Sequence, residues 1–133
     1  MMTYTRHPEH DFTLFASNGD TTIGEWLDTL RQYGAKGITK FELFDLRRHT
    51  NLFTTQEIER IIDFVGNNVK YRPPETKTAI LVDQTSMFGV SRMYEILNEV
   101  EGMAGIVTEV FYDFDDTIEW LGEKAEVALQ DYC

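Results

Sequence analysis

Residues 76–83 read TKTAILVD, an apolar run without alternation. An alternating strand can leave one face in water, whereas a continuous apolar strand is covered on both. Covering both faces calls for helices on either side, which favours an α/β layer structure. The flanking segments agree. Residues 38–47 (ITKFELFDLR) set Phe41 and Leu43 against Glu42 and then run apolar through Leu46, and residues 105–113 (GIVTEVFYD) form a further strand. Between the strands the period changes from 2 to 3.6. Ile23, Trp26, Leu27 and Leu30 make one helical stripe; Ile58, Ile61, Ile62 and Val65 a second; Val90, Met93, Tyr94 and Leu97 a third; Ile118, Leu121, Ala125 and Leu129 a fourth.

Helix ends are also written in the chain. Asp20 to Thr22 are candidate N-caps for the first helix, and Gly34 is placed to close it in the left-handed conformation. Thr54 followed three residues later by Glu57 is a capping box, and Gly66 with the next two asparagines ends that helix. Pro73 and Pro74 force an extended loop over 70–75. At the start, strands over 2–6 and 12–18 flank HPEHD, a turn that makes a hairpin. The expected order is ββαβαβαβα: one domain over residues 1–133, with a mostly parallel sheet, right-handed crossovers and an N-terminal hairpin.

Composition narrows the function. The net charge is −11, and from Glu99 onward ten acidic residues face a single base, Lys124. Nucleic-acid binding calls for a basic patch, so neither nucleic acid nor an anionic membrane surface is expected as a partner. The acidic half is a solvated helix face or a docking face for a basic protein. Cys133 is the lone cysteine and no apolar h-region opens the chain, which suits a reducing cytoplasm. No run reaches the ~18 apolar residues of a membrane span.

One motif invites a catalytic reading. In YDFDDTIEWL, Asp113, Asp115 and Thr117 have the D-x-D-x-T spacing with which haloacid-dehalogenase-type phosphatases begin. Such an enzyme needs a phosphate-binding base and more acidic Mg²⁺ ligands on later strands. Only about twenty residues follow, enough for one helix. The motif reads instead as a strand end, with Asp115 or Asp116 as the cap of the last helix.

TAILVDQTSMFGVSRMYEIL resembles the strand–turn–helix of the SpoIIAA-like family, of STAS/SEC14 type, through Phe88, Gly89, Arg92, Met93, Tyr94 and Glu95. VFYDFDDTIEWLGE is similar to that family's closing segment at Val110, Phe111, Asp113, Trp120 and Leu121, departing from it at Thr117 and Ile118. FDLR (44–47) looks like its mid-chain strand end. The resemblance covers nearly the whole chain and implies a single STAS-like domain. It also implies a relationship to anti-sigma-factor antagonists, which bind a partner kinase and are switched by phosphorylation at a helix start. Carried over, that position falls at Thr54 and Thr55, with Phe53 where the relatives have an acid. The SEC14 side implies an apolar ligand, with Met87 and Phe88 as candidate pocket residues; core or dimer contacts are the competing role for both.

Other candidates stand on position alone. Asp45, Asp83 and Asp113 end predicted parallel strands, where α/β folds bind ligands, and three carboxylates there would suit Mg²⁺. This is the alternative reading: a Mg²⁺-dependent enzyme or receiver-like domain. His7, Glu9, His10 and Asp11 form a polar cluster in a turn, a conceivable transition-metal site. His49 with Arg47 and Arg48 is a basic spot for an anion or the acidic helices. Ser86 lacks the flanking glycines of a nucleophile elbow. The expected function is a non-enzymatic, cofactor-free binding domain for a protein partner or small apolar molecule. Asp45, Arg47, Asp83, Ser86, Met87, Phe88 and Arg92 are its candidate contacts. Homodimerisation is expected through the apolar turn or the hairpin edge.

Overall fold

In a computed structural model of the chain, residues 1–67, 75–100 and 106–132 are described, and of residues 86, 97–100 and 106 only the backbone is. The expected loop over 70–75 lies largely outside the described residues, as does Cys133. The hairpin comprises β1 (Met2–His7) and β2 (Phe12–Gly19), joined by a 3₁₀ turn at Pro8–His10. There follow α1 (Ile23–Lys36), β3 (Phe41–His49), α2 (Thr55–Asn67), β4 (Thr76–Leu81), α3 (Thr85–Val100), β5 (Ile106–Phe111), α4 (Phe114–Leu121) and α5 (Glu123–Ala128).

The five-stranded sheet has the order β1-β2-β3-β4-β5. β1 and β2 are antiparallel and the remaining pairs parallel. Because successive strands are neighbours, crossovers of one hand put their helices on one face. Accordingly Trp26, Leu30 and Tyr33 of α1, the isoleucines of α2 and Met87 of α3 pack with Phe15, Phe44 and Ile80. The opposite face carries Phe12, Leu14, Leu43, Ala79 and Leu81, and only the chain after β5 is left to cover it: Leu121, Ala125 and Leu129 do so. The unalternating run of β4 thus meets helices on both sides, Ile80 on one and Ala79 and Leu81 on the other.

Several ends differ from expectation. Gly34 does not close α1; the helix runs on to Lys36, and Gly37, with φ 104°, supplies the positive-φ residue. The expected final helix is two, broken at Gly122, whose φ of 104° and ψ of −172° suit glycine alone. Asp113, rather than Asp115 or Asp116, caps α4, accepting a hydrogen bond from Asp116 N at 3.0 Å. Thr22, within the expected Asp20 to Thr22 set, does cap α1, accepting from Glu25 N at 3.1 Å.

A bulge has larger consequences. Ala16 faces Asp45 and Asn18 faces Arg48, so β3 uses three steps where β2 uses two. The extra residue resets the in–out alternation. His49 thereby turns to the α1 side, its ring centroid 6.4 Å from that of Trp26 and 5.3 Å from that of Phe53. Among the described residues no helix is long and apolar enough to cross a membrane.

Candidate functional site

A cleft of about 600 Å³ lies over the carboxyl ends of β2, β3 and β4, lined by Asp45, Arg47, Arg48, Asp83, Asp131 and Tyr132 among others. Asp45 is its fixed centre. Arg47 donates to it from Nε (2.9 Å) and Nη2 (2.8 Å), and its backbone N–H adds a third bond at 3.1 Å. Tyr132, arriving from the end of the chain, donates its hydroxyl to Oδ2 at 2.5 Å. Burial pushes the Asp45 carboxyl up, but these bonds outweigh it and hold the group below its ordinary range. Burial, with the bond to Asp45, pushes the Tyr132 phenol up to about 12. The Arg47 guanidinium also lies 5.4 Å from the centroid of the Phe114 ring.

The three expected aspartates divide between different tasks. Asp45 is clamped by Arg47, Asp83 is exposed at the cleft, and Asp113 is occupied as a helix cap. Among the described residues no three His, Cys, Asp or Glu side chains stand close enough to share a cation. The His7–Glu9–His10 turn holds only long contacts, 4.0 and 3.7 Å to Glu9 Oε1, while Asp11 accepts from Lys40 N at 2.9 Å. The expected basic spot does not form, because the bulge buries His49 away from Arg47 and Arg48. His49 Nδ1 pairs with Ser17 Oγ at 2.7 Å, and Ser17 with Thr21 Oγ1 at 2.6 Å. Burial lowers the imidazole's pKa below its ordinary value.

A second space is a cavity of about 60 Å³ between the sheet and α1, α2 and α3. Trp26, Phe44, Phe53, Ile61 and Ile80 give it an apolar wall. Its polar end is Glu42, 1 % exposed, which accepts from Tyr33 Oη at 2.6 Å and Thr78 Oγ1 at 2.8 Å. Burial, reinforced by Glu42, raises the Tyr33 phenol above its ordinary pKa. Met87 lines this cavity as a buried residue. Phe88 does not; it is half-buried against the edge of the core and stacks on Tyr112, with centroids 4.6 Å apart and planes 10° from parallel. Arg92 pairs with Glu95 one turn on. The side chain of Ser86 lies outside the described residues.

The third element is the start of α2. Thr54 N–H donates to Glu57 Oε1 at 2.9 Å and Glu57 N–H to Thr54 Oγ1 at 3.1 Å, a complete capping box. Thr54 and Thr55 are exposed, and the Thr55 hydroxyl reaches Met93 Sδ of α3 at 3.7 Å. The candidates therefore separate into the cleft (Asp45, Arg47, Asp83), the cavity (Met87), the start of α2 (Thr54, Thr55) and α3 (Phe88, Arg92). Tyr132, Glu42 and the Ser17–His49 pair were not singled out from the sequence.

No protein-family model matches the chain, and no curated protein gives a significant match. Among solved structures, the crystal structure of an anti-sigma factor antagonist from Mycobacterium paratuberculosis is similar, with a TM-score of 0.53. The likeness covers 91 % of this chain and 92 % of that one at 10 % sequence identity. At that identity the likeness is one of architecture: the chain has the STAS-type fold of an anti-sigma factor antagonist, five strands in sequential order with the first pair antiparallel.

Proposed function

We propose that the chain is a non-enzymatic regulatory module that acts by binding a protein partner through the α2–α3 surface. The observation that carries this is the whole-chain likeness to an anti-sigma factor antagonist, together with an exposed, fully capped α2 start. The stacked Phe88–Tyr112 pair, Phe88 half-buried and Tyr112 half exposed, adds an aromatic contact where α3 meets the end of β5. Thr55 is the better phosphorylation position. A phosphate on Thr54 would meet the Glu57 carboxylate already held at its N–H, whereas Thr55 is one residue inside the positive end of the helix. Self-association belongs to the same reading, since β1 is an outer strand of the sheet.

The test compares wild type, Thr55→Ala and Thr55→Glu as baits in the native host, followed by affinity measurement with the purified prey. One protein whose affinity changes about tenfold or more between Thr55→Ala and Thr55→Glu is expected. Equal affinities for every retained protein refute the switch, and no specific prey at all refutes the partner reading. Sedimentation at several concentrations reads self-association separately. The cavity beneath the same helices favours a second component, a small apolar ligand. Native mass spectrometry of gently purified protein tests it, and a chain mass with nothing bound counts against it.

A further inference from the structure

The cavity's size and lining narrow the class of molecule it can hold, a step that rests on the small-ligand reading. A water-sized sphere needs about 10–15 Å³, so the cavity of about 60 Å³ has room for roughly four to six heavy atoms. A fatty-acyl chain is far larger. Among the described residues no lysine, arginine or histidine lines the space, while an acid, Glu42, closes its polar end. An anionic headgroup would therefore meet a carboxyl group and find no cation. Flexible side chains that could fill the gap, such as Leu30 and Met87, are already packed in its wall. The lining is buried except for Val90 and Tyr94, both half-buried on α3, so the way in runs beside that helix.

We propose that the cavity beneath α1, α2 and α3 binds a small uncharged apolar molecule, the size of a single six-membered ring, and excludes chain lipids. A ring of that size matches the space, and a largely apolar wall is where such molecules bind.

The experiment is a methyl NMR titration of the whole chain with benzene as the ring probe and with dodecanol and laurate as chain probes. Saturable benzene shifts are expected at Leu30, Ile61 and Ile80, at millimolar affinity or tighter, with no saturable shifts there from either chain probe. Val90→Phe, which narrows the way in and the space behind it, is expected to weaken benzene at least about tenfold. Val65→Ile, adding a single methyl to the wall, serves as a milder variant should the first fail to fold. If a chain probe binds these methyls as tightly as benzene, the size argument is refuted while a ligand site stands. If no probe moves them, both this inference and the small-ligand reading fall. Benzene binding undiminished in a folded filling variant places the site elsewhere and overturns the proposal.

Discussion

Tyr132→Phe tests how the last residues of the chain are held. The substitution removes the hydroxyl that donates to Asp45 Oδ2 at 2.5 Å and leaves the ring, whose centroid lies 6.1 Å from that of Phe114. A hydrogen bond to a charged group is worth about 1.5–3 kcal/mol. Tyr132 is only half-buried and Asp45 keeps its Arg47 bonds, so water can partly replace what is lost. A loss of about 1–2 kcal/mol is expected. With a urea slope of about 1–3 kcal/mol/M, the midpoint falls by roughly 0.3–2 M. The deficit should itself depend on pH. Asp45 titrates lower in the folded state than its ordinary 3.8, so the stability linked to its ionised form is complete above that value. It disappears as pH falls through the folded value, and the two proteins should converge in acid. The assay is urea unfolding followed by tryptophan fluorescence at pH 7 and in steps below pH 4. An unchanged midpoint at pH 7, or a deficit that persists undiminished in strong acid, refutes the reasoning.

Thr54→Ala breaks the capping box and should cost about 1 kcal/mol, against no more than about 0.5 kcal/mol for Thr55→Ala, both read by thermal or urea unfolding. Gly122→Ala should cost about 1–3 kcal/mol through backbone strain alone, because a Cβ there meets nothing within 4 Å; a smaller loss would show that the α4–α5 junction relaxes. His49 is lowered by burial, so the unfolded chain takes up a proton first as pH drops through its ordinary 6.5, and folded stability declines below that point. His49→Asn should flatten that part of the stability–pH curve, and an unchanged slope would show that folding does not shift the imidazole.

Element order was open to reading because both periods are strong. The α2 stripe and the Thr54–Glu57 box are local signals, and both hold in the structure. The misreadings have non-local causes. Glu42 stood out only as the polar break in its strand and was given no role, but three crossover helices share its face, and it is buried with Tyr33 and Thr78 as partners. His49 looked like a neighbour of Arg47 because nothing in FDLRRH marks a bulge; the mismatch exists only in the pairing with β2. Tyr132 carried no local signal at all, since its partner Asp45 lies 87 residues earlier.

The way the far face of the sheet is covered also sets a timetable during synthesis. Phe12, Leu14, Leu43, Ala79 and Leu81 share that face, and their cover comes from Leu121, Ala125 and Leu129. The face is complete once Leu81 has emerged and stays bare until Leu129 follows, 48 residues later. At about 5–20 residues per second this leaves an apolar sheet surface uncovered for roughly 2–10 s on every ribosome. A nascent chain in that interval is a natural substrate for a holding chaperone. Any truncation between β5 and α5 makes the exposure permanent.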